Sequence, residues 1–437
     1  MPRVADVAGL LDVLGRHGFA VDAKRCVRVR NRNVHCDACM NACVSGCISL
    51  ADGQLSVNTE RCIGCGSCAT ACPTGALRKT EPTDADIMAE VSDVCEHNAG
   101  VVVFACASII ERVGSALDPD SVVKVACLGR VDEAMLAGTA AAGATRIVLV
   151  TDDCEACSYA KARSLISRVT DGAVSLFSAW NITCPVKVTT KFPKLCAAEE
   201  GAAYDVRRRE FLAGIGTLAK TGGRETVGYL LDKSLDEGAP EPAFEHVDAD
   251  GTLPHRQSVR HAMVANTLEA LGTPSPDAVV HSRLWAALRI DAQACTGCAM
   301  CAVFCPTGAL AKRKEVDEEA SAKPLRLYRA PGNPKAGTED KPRQVMKHHP
   351  GTSASSSFAT GEAVYLVHTP GLCVNCGACR DLCPAHAITL AEDMRADELV
   401  GGAANPILLK DIFREKGGPD AIKNSMSKLV NSPYLWG

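Results

Sequence analysis

Short apolar runs alternate with stretches of helical composition through residues 81–190. The runs that have the length of a strand are Val101–Cys106, Val122–Cys127 and Ile147–Thr151. The helical stretches around them are residues 84–98, 131–143 and 158–169. Continuous apolar runs are typical of strands buried on both faces, and their alternation with helices is typical of a parallel sheet. The pattern therefore predicts a doubly wound parallel α/β domain over residues 81–190.

Outside that region the apolar pattern is weaker. Residues 1–21 place apolar side chains on one helical face, interrupted by acids, so we expect an N-terminal helical segment over 1–33 rather than a signal peptide. Residues 191–285 predict a mostly helical, polar connecting region. Residues 314–362 are rich in proline and serine and predict a long loop or a disordered insertion. Residues 396–437 form the expected C-terminal tail.

The cysteine content of the chain adds a second feature to the predicted organisation. The chain has 437 residues and 24 cysteines, with only 4% aromatic residues, which favours small modules held by something other than large apolar cores. Disulfide-rich secreted domains are normally short, so we expect reduced thiols, metal sites and a cytoplasmic location. No apolar stretch is long enough to cross a bilayer, so no transmembrane segment is expected. The net charge of −4 offers no electrostatic reason to expect a nucleic-acid partner.

Most of the cysteines fall into four motifs. Three of these have the spacing C-x2-C-x2-C-x3-C-P, and the hexapeptide C-P-T-G-A-L occurs twice, at Cys72–Leu77 and Cys305–Leu310. The three regular motifs are Cys62, Cys65, Cys68 and Cys72; Cys295, Cys298, Cys301 and Cys305; and Cys373, Cys376, Cys379 and Cys383. The fourth motif is less regular, C-x2-C-x3-C-x3-C with Ile48 in place of proline, and comprises Cys36, Cys39, Cys43 and Cys47. This spacing is typical of [4Fe–4S] ligation, whereas zinc would use two C-x2-C pairs and gain nothing from a third cysteine and a Cys-Pro.

The motifs resemble bacterial two-cluster ferredoxins over Val34–Lys79 and again, with an insertion, over Leu288–Leu390. The resemblance implies α+β ferredoxin-like modules at residues 34–80 and at 286–313 with 363–395, flanking the α/β domain. It also implies four [4Fe–4S] clusters with exchanged ligands. The implied sets are Cys36, Cys39, Cys43 and Cys72; Cys62, Cys65, Cys68 and Cys47; Cys295, Cys298, Cys301 and Cys383; and Cys373, Cys376, Cys379 and Cys305.

Four further cysteines stand near the ends of the predicted strands of the α/β domain. Cys106 ends the first strand, Cys127 ends the second, and Cys154 and Cys157 follow the third. Because parallel strands end at one edge of the sheet, we expect these thiols to converge on a metal site, with buried structural thiols as the alternative. Cys26, Cys95, Cys184 and Cys196 have no such spacing and are expected to be structural, although Cys95 or Cys184 could substitute as a ligand.

A second resemblance covers this domain. The segments at Val102–Cys106, Val125–Asp132 and Asp153–Tyr159 are similar to the delta subunit of methyl viologen-reducing hydrogenases. That family works with heterodisulfide reductases and carries a [2Fe–2S] cluster, which implies one such cluster here. This chain differs from the family in the close spacing of Cys154 and Cys157, so its ligand set stays open.

These features predict an electron-transfer subunit rather than an independent catalyst. The sequence contains no P-loop and no G-x-G-x-x-G after a predicted strand, so it does not predict a nucleotide or flavin site. The expected partner is a redox protein such as a hydrogenase, a heterodisulfide reductase-like subunit or a formate dehydrogenase-type subunit. The alternative is an accessory ferredoxin that assists maturation of a molybdenum enzyme or a hydrogenase, because R-R-E-F-L at Arg208–Leu212 resembles small accessory ferredoxins.

Overall fold

The computed structural model describes residues 18–51, 53–154, 157, 161–198, 253–291, 294–313, 365–400 and 405–408. Its first module is built from two short antiparallel strand pairs and three short helices. The module's elements are β1 (Phe19–Val21), α1 (Val27–Arg30), α2 (Ala38–Ala42), β2 (Ile48–Ala51), β3 (Gln54–Val57), α3 (Ser67–Ala71) and β4 (Leu77–Lys79). β1 pairs with β4 and β2 pairs with β3.

The core of this module contains few large apolar side chains. Val29, Ile48, Leu55 and Leu77 are buried there beside cysteine thiols. A core this small buries only a small part of the apolar surface that the unfolded chain exposes. Domains of this size therefore usually need a metal or disulfides to be stable.

The N-terminal boundary of the module differs from the expected one. Residues 19–21 form a strand inside the segment for which a helix is expected, because pairing with β4 satisfies backbone groups that would otherwise lack partners. Residues 1–17 lie outside the described part of the chain.

The middle domain contains a four-stranded parallel sheet. Its elements are α4 (Asp84–His97), β5 (Val101–Cys106), α5 (Ala107–Val113), β6 (Val123–Val125), α6 (Glu133–Ala141), β7 (Arg146–Val150), α7 (Ala162–Ala179) and β8 (Val186–Thr189). The strand order is β6-β5-β7-β8, and every pair is parallel. The parallel sheet expected from the sequence is confirmed; the doubly wound arrangement of the whole domain stays a prediction.

Two parts of this domain extend beyond the predicted pattern. β8 is an edge strand whose Lys187 and Val188 are exposed, so its sequence lacks the continuous apolar run that marks the inner strands. α7 runs ten residues beyond the predicted 158–169, because Ala173, Leu176 and Phe177 continue its buried face.

The connecting region joins the middle domain to the first module. It contains α8 (Val259–Leu271) and β9 (Val279–His281), so a short strand accompanies the helix in a region that is expected to be mostly helical. Residues 199–252 lie outside the described part. α8 packs against α6, and two arginines of this region reach the carbonyl groups at the end of α3.

The second module repeats the strand pairing of the first. Its elements are β10 (Ala287–Ile290), α9 (Met300–Val303), β11 (Leu310–Arg313), β12 (Tyr365–His368), α10 (Ala378–Asp381), β13 (Ile388–Ala391), β14 (Asp393–Arg395) and β15 (Asn405–Leu408). β10 pairs with β13, and β11 pairs with β12. β14 pairs with β9. β15, which belongs to the expected tail, pairs with β12 on the side opposite to β11.

The chain between β11 and β12, residues 314–364, is not among the described residues. In the first module the corresponding strands, β2 and β3, are joined by a tight turn around Gly53. Residues 401–404 and 409–437 of the expected C-terminal tail also lie outside the described part. None of the helices in the described ranges is long and apolar enough to cross a membrane.

Candidate iron–sulfur sites

The thiols of the second module line two separate cavities. Ile290, Leu366 and Ile388 form the apolar wall of one, and Leu288, His368 and Leu390 belong to the wall of the other. The first cavity contains Cys295, Cys298, Cys301 and Cys383. The second cavity contains Cys305, Cys373, Cys376 and Cys379. These groups of four coincide with the exchanged sets that the ferredoxin resemblance implies.

Local backbone geometry turns three thiols of each motif inward. Gly297 and Ala299 have φ of 69° and 57°, and Asn375 and Gly377 have φ of 49° and 77°. This left-handed region suits glycine and asparagine, and two such residues in one short loop wrap the chain around a point. The backbone N–H of Gly297 donates to the sulfur of Cys295 at 3.4 Å.

Electrostatics of these cavities favour a positively charged occupant. Burial, together with a smaller contribution from the nearby thiol of Cys305, raises the pKa of Cys373 to about 11. Burial and the neighbouring Cys298, Cys295 and Cys383 raise the pKa of Cys301 above its ordinary value. Buried thiolates at this density repel one another, and bound iron would offset that repulsion.

The thiols are spread widely around each cavity. Among the residues that the structure describes, no three His, Cys, Asp or Glu side chains converge tightly enough to share a single metal ion. A cubane needs thiols that are farther apart than the ligands of a single ion, because each of its four cysteines binds a different iron.

The thiols of the first module divide into two neighbouring groups. Burial raises the pKa of Cys39 to about 12, with further contributions from Cys72, Cys36 and Cys26. Burial likewise raises the pKa of Cys36, again with contributions from Cys72 and Cys26. Cys26, for which a structural role is expected, is therefore a neighbour of this first group.

The second group surrounds Cys68. Burial raises the pKa of Cys68, and the thiols of Cys65, Cys43 and Cys62 add to this effect. The sulfurs of Cys43 and Cys47 lie 3.5 Å apart. Cys43 is thus a neighbour of the second group, although the ferredoxin resemblance implies that it serves the first.

Three of the four middle-domain cysteines meet at the carboxyl edge of the sheet. Burial, together with smaller contributions from the thiols of Cys65, Cys106 and Cys154, raises the pKa of Cys127 to about 12. The hydroxyl of Thr151 lies 2.9 Å from the sulfur of Cys154. Cys157 belongs to a stretch in which residues 155–156 and 158–160 are outside the described part.

The remaining buried thiols of this domain lie elsewhere. Cys95 precedes β5 and Cys184 precedes β8, so both stand at the amino edge of the sheet, opposite Cys127. They are neighbours of one another, since Cys95 contributes to the raised pKa of Cys184 after burial itself. The sulfur of Cys196 donates to the carbonyl of Ser121 at 4.0 Å. This placement makes Cys95 and Cys184 unsuitable as substitutes for the ligands at the carboxyl edge.

The first module packs directly on the carboxyl edge of the sheet. Thr70 donates its hydroxyl hydrogen to the carbonyl of Arg130 at 3.1 Å. A Cβ atom on Gly66 would collide with the side chain of Arg130, so glycine allows the loop of Cys65 to approach this closely. The thiols of the first module's second group and those of the sheet edge are therefore adjacent.

The opposite side of the first module packs on the second module. Cys36 packs with Cys376 and Leu382 of the second module in one apolar cluster. The backbone N–H of His35 donates to the carboxylate of Asp381 at 2.8 Å. Cys36 and Cys376 also line one shared cavity between the modules.

Comparison with known proteins identifies the class of these modules. Two family profiles, each described as a 4Fe–4S binding domain, match the chain at residues 55–78, 366–389 and 288–310. The chain therefore carries 4Fe–4S binding domains, as its spacing predicts. Neither profile covers residues 81–190, so the resemblance of that domain to hydrogenase delta subunits stays a prediction.

Curated relatives match over short segments only. AegA of Escherichia coli strain K12 is 44% identical over 46 residues, which is 10% of this chain and 7% of the relative. Electron transport protein HydN of the same strain is 51% identical over 39 residues, 9% of this chain and 22% of the relative. HydN of Escherichia coli O157:H7 has the same identity and coverage. The chain thus spans less than a quarter of these relatives, and no solved structure matches it significantly.

Proposed function

We propose that this protein is an iron–sulfur electron-transfer subunit with four [4Fe–4S] clusters and one [2Fe–2S] cluster. The observation that carries this proposal is the contiguity of the thiol groups. From the sheet edge, Cys127 neighbours Cys65 of the first module, and Cys68 of the same group neighbours Cys39 of the other group. Cys36 of that group packs with Cys376 of the second module, whose neighbour Cys379 adjoins Cys301 of the last group. A contiguous series of redox centres is what a relay between two partners requires.

The protein's own residues hold and shield the centres. When bound, each cluster supplies one-electron chemistry, with a potential set by hydrogen bonds to sulfur and by solvent access. The backbone N–H groups of Ala76 and Ala387 donate to the sulfurs of Cys72 and Cys383, each at 3.3 Å. Such bonds stabilise a thiolate ligand without adding a charged side chain.

In this proposal the middle domain is the entry or exit point. Cys106, Cys127, Cys154 and Cys157 hold the [2Fe–2S] cluster, and the partner docks near the carboxyl edge of the sheet. The partner is a cytoplasmic redox protein such as a hydrogenase, a heterodisulfide reductase-like subunit or a formate dehydrogenase-type subunit. The name of HydN, an electron transport protein, supports the general role and not the choice of partner.

Metal analysis after anaerobic isolation tests the proposal. Four cubanes predict about 16 irons and 16 acid-labile sulfides per chain, or about 18 of each with the [2Fe–2S] cluster. Stoichiometric co-purification with a catalytic redox subunit is the second expected result. Bound zinc in place of iron, or less than half of this iron after full reconstitution, would show that the protein is not such a relay.

A further inference from the structure

The irregular first motif becomes regular when it is aligned by structure instead of by its first cysteine. In the complete motifs, the second residue of the short helix is a cysteine, and another cysteine stands four residues after it. In α3 these are Cys68 and Cys72. In α2 the residues at the same places are Cys39 and Cys43. Cys43 is therefore the counterpart of Cys72, the cysteine that reaches across to the other cluster.

The chain after each helix supports this alignment. The sulfur of Cys72 lies 3.7 Å from the hydroxyl of Thr74, and the sulfur of Cys43 lies 3.5 Å from the hydroxyl of Ser45. The next residue is a left-handed glycine in both, with φ of 69° at Gly75 and 59° at Gly46. By the same count Cys47 takes the place of Ala76, which is not a ligand.

The aligned first motif lacks its opening cysteine. Asn33 occupies the place that Cys62, Cys295 and Cys373 hold in the complete motifs. The residue before the helix also differs, since Asp37 has φ of −114° where Gly66 has 78°. The loop before α2 therefore does not wrap as the other loops do, and it supplies two thiols in place of three.

Cys26 stands where the missing thiol is needed. It is half-buried and packs into the same core cluster as Cys39 and Cys72. The thiols of Cys72, Cys36 and Cys39 are each close enough to Cys26 to interact with it electrostatically. The backbone N–H groups of Val29 and Arg28 also lie near its sulfur. A hydrogen bond from the N–H of Asp22 to the carbonyl of Ala76, at 2.8 Å, holds this segment against the loop after Cys72.

We propose that Cys26 is the fourth ligand of the first cluster and that Cys43 serves the second cluster. The first cluster is then held by Cys26, Cys36, Cys39 and Cys72, and the second by Cys43, Cys62, Cys65 and Cys68. Cys47 is a spare thiol beside the second cluster and not a ligand. This assignment rests on the proposed function, because it presumes that the first module binds two cubanes.

Two alanine variants of the full chain distinguish this assignment from the one that spacing alone implies. We expect Cys26→Ala to remove one cubane or convert it to a three-iron cluster, with iron per chain falling by up to about four of 16. We expect Cys47→Ala to keep the wild-type iron content and every [4Fe–4S] component of the reduced electron paramagnetic resonance spectrum. Cys184→Ala is the matched control for removal of a buried thiol.

The reverse result, with iron lost from Cys47→Ala and retained by Cys26→Ala, would overturn the assignment, and so would iron loss from neither or from both. If Cys26→Ala does not fold, Cys26→Ser keeps the size and polarity of the side chain. A ligand serine would change the spectrum of one cluster, whereas an unchanged spectrum would refute ligation. A wild-type protein without cubanes would instead refute the proposed function, so the two failures are distinguishable.

Discussion

Individual thiols in this protein differ in what surrounds the sulfur, and these surroundings separate candidate ligands from structural cysteines. The sulfur of Cys127 accepts the N–H of Gly129 at 3.4 Å and has three other thiols as neighbours. Cys184 is equally buried, but its neighbour is a single thiol at the opposite edge of the sheet. Burial alone therefore does not mark a ligand, whereas several thiols around one point do.

The first prediction at this scale concerns Cys127. If it is a ligand of a [2Fe–2S] cluster, Cys127→Ala in the full chain should remove one paramagnetic component and about two irons, while four cubanes persist. Low-temperature electron paramagnetic resonance of the reduced protein measures this loss, and Cys184→Ala serves as the control. An unchanged spectrum of the Cys127→Ala variant would show that this thiol is structural and not a ligand. Loss of a [4Fe–4S] component would assign Cys127 to the cluster beside Cys65 instead.

At the scale of elements, each ferredoxin-like module depends on strand pairs that bring distant motifs together. In the second module, β11 and β12 pair from Leu310 opposite His368 to Arg313 opposite Tyr365. This pairing places the two ends of the segment 314–364 beside each other. Antiparallel strands with adjacent ends can be joined by a turn of about two to five residues.

We therefore expect residues 314–362 to be dispensable for cluster binding, because they contain no cysteine and join strands that a short turn can connect. Replacement by a short glycine–serine turn should leave the iron content and the spectra of both clusters of this module unchanged. A replacement of equal length with a scrambled sequence is the control for linker length. Loss of either distal cluster in the shortened protein would show that the segment helps to build the module.

At the scale of the whole molecule, buried ion pairs tie the first module to the middle domain. Arg260 binds the carboxylate of Asp132 at 2.7 Å and the carbonyl of Cys72 at 3.1 Å. Arg283 binds Glu133 at 2.7 Å and the carbonyl of Thr70 at 3.0 Å. Burial would raise the pKa of Asp132, but Arg260 beside it and the N–H of Met135 hold that pKa below its usual range. These contacts keep the carboxyl edge of the sheet against the loop of Cys65.

Removal of one partner of such a pair leaves a buried charge without compensation. We expect Arg260→Ala to destabilise the protein by about 3–5 kcal/mol, and to expose the interface between the module and the sheet. Thermal unfolding of the anaerobic holoprotein and hydrogen exchange at residues 67–72 measure the two effects. Arg168→Ala, which breaks the exposed pair with Glu392, should cost less than about 1 kcal/mol. Equal effects of the two variants would contradict a special role for the buried contacts.

Cysteine spacing and apolar runs, both local properties, were enough to predict much of this protein. A spacing of two or three residues decides whether thiols can face one cluster, so the three regular motifs were foreseeable. The exchanged groups of the second module were expected from the resemblance to two-cluster ferredoxins and not from spacing. The strands at Val101–Cys106 and Arg146–Val150 were foreseeable for the same reason, because burial on both faces requires an unbroken apolar run.

Only the tertiary structure decided which distant groups meet. Cys26 has no motif spacing, and it reaches the first group of thiols because β1 pairs with β4. Cys43 stands beside the second group because it follows α2 as Cys72 follows α3. Sequence spacing describes neighbours along the chain, whereas strand pairing, buried ion pairs and hydrogen bonds act between residues far apart in it. Arg260 and the carbonyl of Cys72, for example, are 188 positions apart. The order of the thiol groups through the molecule follows from those long-range contacts.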